Sequence, residues 1–285
     1  MSKVAVVTDS TAGIPEELTN GYVLHSIPLT VIWGEESYRD GIDITTLEFY
    51  TRLQNAKVMP TTSQPSPAAF QQVYASLLDQ GYDILSIHIS EKLSGTLASA
   101  YQARDLVKSD RIEIVDSESA GMALGFQALE VARAARQGAS LAECKALAEK
   151  APAHTGVLFA VSTLEFLHRG GRIGGAAAFL GTALGLKPIL GLKDGKIEAV
   201  EKIRTLSKAI DRVVEIMVER VGNQRPVHIA ALHANAPTEA EKLLEKVCAR
   251  FDSKDIVEAI SGPVSPTIGT HTGPGTVGLA FMAGM

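Results

Sequence analysis

The stretch "YDILSIHISEKLSGTLASAYQARDLV", residues 82–107, decides the fold. Its first eight residues form a nearly continuous apolar run of strand length, the pattern of a strand buried on both faces. The polar "SEKLSGT" then turns the chain into a helix near Ser94 to Thr96. The same unit recurs on either side. "KVAVVT" (3–8) ends in the polar "DSTAG", and "YVLHSIPLTVIW" (22–33) is strand-rich. "RIEIV" (111–115) leads through "DSES" into the helical "AGMALGFQALEVARAARQG". In "TTSQPSPAAFQQVYASLLDQG" (61–81), Ser66 stands at an N-cap and Pro67 at the first helical position, with Ala69, Phe70, Val73 and Leu77 on one face. Thr45 with Glu48, and Ser140 with Glu143, have capping-box spacing. Alternation of this kind argues for a parallel sheet covered by helices.

After about residue 152 the pattern changes. "GVLFAVST" (156–163) reads as a strand, "LEFLHRGGRIGGAAAFLGTALGLKPIL" (164–190) as glycine-interrupted helix, and "GLKDGKIEAVEKIR" as two strands about Asp194-Gly195. "TLSKAIDRVVEIMVERVG" is an amphipathic helix, "PVHIAALH" a strand, and "TEAEKLLEKVCARF" a helix with Thr238 and Glu241 as its capping box. The expectation is a two-domain α/β protein: a parallel-sheet domain over 1–152 carrying polar ligand-head turns, and a mixed or antiparallel α/β domain over 153–285.

Composition excludes several classes of function. The 285 residues are 46% hydrophobic and 21% charged, with a formal net charge of −5. No basic block or basic-aromatic stripe follows a phosphate backbone, which argues against nucleic acid. Cys144 and Cys248 lie far apart in helical segments and read as reduced and packed, which fits the cytoplasm. "MSKVAVVTDSTAG" enters a strand without a signal-peptide pattern. The small-residue stretch over 173–190 is broken by Lys187 and Pro188, too early for a membrane span of roughly 20 apolar residues.

In parallel α/β sheets, ligands bind beyond the carboxyl ends of the strands, where helix N-termini present unpaired N–H groups. Four polar turns would meet there: "TDSTAG", "TTSQPSP", "LSGT" and "VDSES". Ser63, Ser94 and Thr96 supply neutral hydroxyls, and Gly95 would let a ligand atom approach the backbone. Such donors suit one small anion such as a carboxylate. No phosphate-binding lysine loop, dinucleotide fingerprint or nucleophile elbow is present. Asp9 lacks the second acid of an aspartyl nucleophile and reads as the cap of its own turn. His228 and His233 fall on opposite strand faces, and no set of residues has metal-ligand spacing. His271, in the glycine-rich turn "IGTHTGPGTVGLAF" (268–281), stands between a structural and a functional reading.

Taken in order along the chain, "VVTDSTAGIP", "TTSQPSP", "SEKLSGTLASA", "VDSESAGMALG", "LEFLHRGGRIGG" and "IGTHTGPGTVGLAF" resemble the DegV family of bacterial fatty-acid-binding proteins. The resemblance implies a two-domain α/β protein that buries one long-chain fatty acid. It also implies an acyl carrier rather than an enzyme: the partner is a separate fatty acid kinase that phosphorylates the bound carboxylate. No cofactor is implied beyond the bound acid, and transient contact with a membrane surface is compatible with such a role.

Carried over by motif, Thr62, Ser63, Ser94 and His271 would hold the carboxylate, with Gly95 and Thr96 completing the second turn and Thr270 approaching beside His271. Arg172, and less directly Arg204, would face the kinase. The small side chains of "GGAAAFLGTALG" would leave room for an acyl tunnel, with Phe179, Leu180, Leu184 and Leu186 as its walls. About 14 buried methylenes at ~0.8 kcal/mol each amount to roughly 11 kcal/mol before ordering costs, so the tail supplies the affinity and the polar network fixes register. Two rivals remain: a lipid hydrolase or acyltransferase using Ser94 and His271, and a sensor of another small carboxylic acid.

Overall fold

The computed structural model describes residues 3–180 and 186–285. The first half runs β1 (Val4–Asp9), α1 (Glu16–Thr19), β2 (Leu24–Ile27), β3 (Thr30–Trp33), β4 (Glu36–Arg39), α2 (Thr46–Gln54) and β5 (Thr61–Ser63). It continues through α3 (Pro67–Asp79), β6 (Asp83–His88), α4 (Thr96–Val107), β7 (Ile112–Asp116), α5 (Met122–Arg136) and α6 (Leu141–Lys150). The second half runs β8 (Thr155–Ala160), α7 (Glu165–Arg169), β9 (Lys187–Lys193), β10 (Lys196–Ile203) and α8 (Leu206–Val221). After these come β11 (Val227–His233), α9 (Pro237–Cys248), β12 (Ile256–Pro263), α10 (Pro266–Thr272) and β13 (Val277–Ala283).

The apolar runs of the first half pair in parallel in the order β2-β1-β6-β7. The strand order reverses between β1 and β6, so the crevice of the sheet lies where those two strands end. Asp9 ties the two ends together. Its Oδ1 accepts from Thr11 N, closing its own turn as the sequence indicates, while Oδ2 accepts from Ile89 N at 2.9 Å. Phe70, Tyr74 and Leu77 of α3 and Leu97 and Ala100 of α4 fill the core on one face, and α5 and α6 cover the other. The Ser66, Thr45 and Ser140 caps form as their spacing predicts.

The second sheet is mixed, in the order β10-β9-β8-β13-β11-β12, with β11 and β12 as the parallel pair. Period-2 alternation in β13 sends Val277, Leu279 and Phe281 toward α8 and α9, and Ala280 and Met282 toward α5. Helix α5 therefore belongs to both cores. Leu124, Ala128 and Val131 pack under the parallel sheet, whereas Met122, Phe126 and Leu129 pack on Ala230, Ala280 and Met282.

A third, antiparallel sheet, β4-β3-β5, lies within 1–152 by sequence. Its core residues Val31 and Trp33, with Phe49 and Tyr50 of α2, join Ala234, Phe166 and Val264 of the second half. This small sheet thus brings β5, and with it Thr62, against α10.

Three local expectations are corrected. "IGTHT" is not a turn: Ser265 caps Ile268 N and Pro266 occupies the first turn, so His271 lies in the last turn of a helix that Gly273 ends at φ 75°. Thr238 does not cap α9, because Pro237 opens the helix one residue earlier and Ala236 is the N-cap. The segment read as helix over 164–190 divides into α7, a 3-10 turn at Gly174–Phe179 and the start of β9, whose "KPIL" pairs with β8 and β10.

Candidate functional site

The carboxyl end of β6, the N-terminus of α5, β5, α10 and the inner face of the mixed sheet enclose one cavity. Its wall is largely apolar, with Leu29, Ile89, Leu93, Phe159, Leu167, Leu192, Ile197, Leu232 and Ile268 among the lining residues. Thr62, Gln64, Ser94, Arg172, Thr267, His271, Thr272 and Thr276 supply its polar atoms.

Thr62 and His271 come from positions 209 residues apart, yet Thr62 Oγ1 and His271 Nε2 are 2.8 Å apart. Ser94 Oγ lies 2.8 Å from Thr96 Oγ1 immediately before α4. Arg172 joins the turns: its Nε donates to Leu93 O at 3.0 Å and Nη1 to Gly170 O at 2.6 Å. The guanidinium therefore stands in the cavity wall, and this position departs from that of an outward surface charge. Arg204 is exposed, between β10 and α8.

Burial lowers the His271 pKa from 6.5 to about 4, and the Arg172 cation acts in the same direction. The imidazole is neutral at pH 7. Among the described residues Nδ1 is buried without a hydrogen-bond partner, and a Cβ on Gly170 would clash with it. Because Nδ1 is unpartnered and Nε2 faces a hydroxyl, carrying the proton on Nε2 leaves no buried N–H unpaired. In that tautomer Nε2 donates to Thr62, whose own O–H is free to donate into the cavity.

Several other expected residues flank this pole without lining the cavity. Ser63 follows Thr62 on β5, and consecutive strand residues point to opposite faces; its hydroxyl donates to Gln64 O. The Thr270 hydroxyl donates to Pro266 O within its own helix. Thr96 is fully buried and reaches the site only through Ser94. Gly95 does leave room for close approach, but the Gln64 amide occupies it: a Cβ there would lie 3.0 Å from Nε2.

The expected tunnel residues also lie elsewhere. Phe179 packs in one cluster with the wall residues Phe159 and Leu167 but does not itself line the cavity, and Lys202 Nζ lies 4.8 Å from its ring centroid. Leu180 is 42% exposed, Leu186 is half-buried outside the lining, and Leu184 falls outside the described residues. The small residues of the 3-10 turn serve close packing instead, since a Cβ on Gly174 or Gly175 would collide with Ile197 O or the Glu198 carboxylate. Sequence reasoning missed Gln64, Gly170 and the aliphatic wall. Gln64 lies inside a turn already singled out, but the wall comes from strands, helices and turns scattered along the chain and has no local signature.

A Ser–His pair is not assembled here, because Ser94 is joined to Thr96 and His271 to Thr62. A second chain has the order of a hydrolytic triad: Ser86 Oγ to His88 Nε2 at 2.6 Å, and His88 Nδ1 to Asp9 Oδ2 at 3.1 Å. All three side chains are fully buried and Tyr74 also shares the Ser86 hydroxyl, so this chain braces β1 against β6. Among the described residues no group of three or more His, Cys, Asp or Glu side chains could hold a metal, and no helix is long and apolar enough to cross a membrane.

Comparison with known proteins agrees with this architecture. A family model described as an uncharacterised DegV family protein matches residues 3–284. A DegV domain-containing protein of Streptomyces coelicolor is 40% identical over 278 residues, covering 97% of each chain. A Thermus thermophilus DegV family protein, described for its fatty acid binding, superposes with a TM-score of 0.92 at 35% identity over 99% of each chain. DegV of Bacillus subtilis, described as a fatty acid binding protein, superposes with a TM-score of 0.89 at 36% identity, covering 99% of this chain and 100% of that one. With one parallel and one mixed sheet enclosing a cavity that begins at the carboxyl end of β6, and a match along nearly its whole length, this chain belongs to the DegV family.

Proposed function

We propose that the chain binds one long-chain fatty acid, burying the acyl tail in the cavity and holding the carboxylate at Thr62, Ser94 and His271 beside Arg172. One observation carries this reading: a long aliphatic cavity with hydroxyls, a neutral imidazole and one guanidinium gathered at a single pole. A carboxylate buried without partners would cost several kcal/mol, and these groups offset that cost while the tail drives binding. The solved structures from Thermus thermophilus and Bacillus subtilis, described as fatty acid binding, support the same ligand class.

The role we infer is that of an acyl carrier, presenting the carboxylate in the cytoplasm to a partner fatty acid kinase that forms the acyl-phosphate. Arg172 and the exposed Arg204 are the proposed residues toward that partner. Arg172 would then act from within the wall, by balancing the charge on the carboxylate, rather than as a surface contact. Phe179, Leu180 and Leu186 are not needed as tunnel walls in this reading.

Denaturing extraction of purified protein, followed by mass spectrometry, is expected to yield a C14 to C18 acid in near-stoichiometric amount. Absence of any acid, with no uptake of added oleate or palmitate, would overturn the reading. Carrier function is tested separately: purified kinase and ATP should convert the bound acid to an acyl-phosphate only in the presence of this chain.

A further inference from the structure

A second cleft opens between the two halves of the molecule, lined by Asp116, Glu118 and Glu149 from the first half and Lys193 and Asp194 from the second. It shares two wall residues with the acyl cavity: Val157 of β8 and Leu192 of β9. The antiparallel register of these strands runs Ala160↔Ile189, Phe159↔Leu190 and Leu158↔Gly191. One further step sets Val157 opposite Leu192, which places the two side chains together on one face of the sheet. Both are half-buried, as expected of a single layer with an enclosed space on one side and a wet one on the other.

This pair lies at the end of the cavity away from the polar pole. Helix α10 carries His271 and leads directly into β13, which starts at Val277 opposite Ala160 and reaches Val157 at Ala280. Three residues of strand at ~3.4 Å each separate these positions, roughly 10 Å along β13.

We propose that Val157 and Leu192 are the length-determining stop of the cavity, a two-residue partition between the acyl chain and an acidic, solvated cleft. The inference rests on the fatty-acid reading of the site. Up to the partition, each added methylene leaves water for an aliphatic wall and tightens binding. Beyond it, a methylene would enter a cleft whose carboxylates outnumber its one lysine, and would gain nothing. The two side chains thus set which saturated acid binds best, without touching the carboxylate.

The test uses full-length protein stripped of lipid and a displacement assay with saturated acids from C12 to C22. In the parent chain, affinity is expected to rise with length and then level off or fall. Leu192→Ala should move that break at least two carbons longer, and Val157→Phe at least two carbons shorter. Both variants should keep the far-UV circular dichroism and a single cooperative urea transition of the parent, so that a moved break is not a general loss of folding. If one variant fails to fold, the other decides. An unmoved break in every folded variant would overturn the partition while leaving the fatty-acid reading intact. Failure of the parent chain to bind any of the acids would overturn both.

Discussion

Gly170→Ala is the most discriminating substitution at the polar pole, because the backbone and the side chain pull in opposite directions. Gly170 has φ −73° and ψ −8° at the end of α7, a conformation alanine adopts readily. On backbone entropy alone the change would stabilise the fold by roughly 0.5–1 kcal/mol. The new Cβ, however, would collide with His271 Nδ1 and approach Phe166 O to 3.1 Å. The imidazole has to move, and its 2.8 Å contact with Thr62 is then lost. Loss of a buried hydrogen bond with both partners left in place costs about 1–3 kcal/mol. The expected result is a net destabilisation of about 1–2 kcal/mol in urea titration, and a fatty-acid affinity lowered about five- to thirtyfold in a displacement assay. Gly171→Ala is the control. Its φ of 70° penalises alanine, yet no described residue lies within 4 Å of the added Cβ. It should therefore cost stability while leaving affinity near that of the parent. If Gly170→Ala gains stability and binds as well as the parent, the role assigned to the glycine and to the histidine it accommodates is wrong.

Three further outcomes follow from the same structure. Because His271 is held neutral with its pKa lowered from 6.5 to about 4, the folded chain takes up fewer protons there than the unfolded chain does between those values. Its contribution is complete above pH 6.5 and fades as pH falls toward 4, by about 3 kcal/mol in all; urea titrations at pH 7, 5.5 and 4.5 should show this loss in the ligand-free parent and not in His271→Gln. Ser94→Ala should leave the far-UV circular dichroism unchanged, cost about 1–3 kcal/mol in urea titration because the buried Thr96 hydroxyl loses its partner, and weaken acid binding about five- to tenfold as a cavity-facing hydroxyl is lost; unchanged retention and unchanged phosphoryl transfer would remove Ser94 from the site. Phe126→Ala empties a fully buried position on the shared helix and should cost about 3–5 kcal/mol, read as a lower urea midpoint, and should do so in one transition rather than two.

The βα units and caps were legible because each is encoded within a dozen residues. Ser66 with Pro67, Thr45 with Glu48, and the run from Ile84 to Ile89 each specify a local conformation without help from the rest of the chain. The mixed second sheet was legible for a related reason, as its hairpin about Asp194-Gly195 is also local. Ser94 is marked by its polar turn at the end of a buried strand and His271 by its glycine-rich surroundings, whereas Thr62 is marked by motif resemblance alone. The misread parts depend on long-range packing. Pro266 with Ser265 encodes the start of a helix as clearly as Pro67 with Ser66 does, yet the glycines around His271 suggested a turn. One of these, Gly269, is glycine because a Cβ there would collide with Tyr50 and Phe49, neighbours that sequence does not reveal. The acyl wall is less legible still. Leu192 and Leu232 look like any inward strand residue, and only tertiary assembly decides which of them meet empty space.

Helix α5 carries a consequence for how cargo leaves. Opening the molecule like a hinged case would strip Met122, Phe126 and Leu129 from the mixed sheet, and each such side chain is worth about 1.5–3 kcal/mol when buried. A parting of the halves would therefore compete with unfolding itself. The inexpensive route lies at the polar pole, where α10, β5 and the turn before α4 meet through side-chain contacts rather than a shared helix. On the proposed function, loading and unloading would then be movements of a doorway, with the frame of the building left standing.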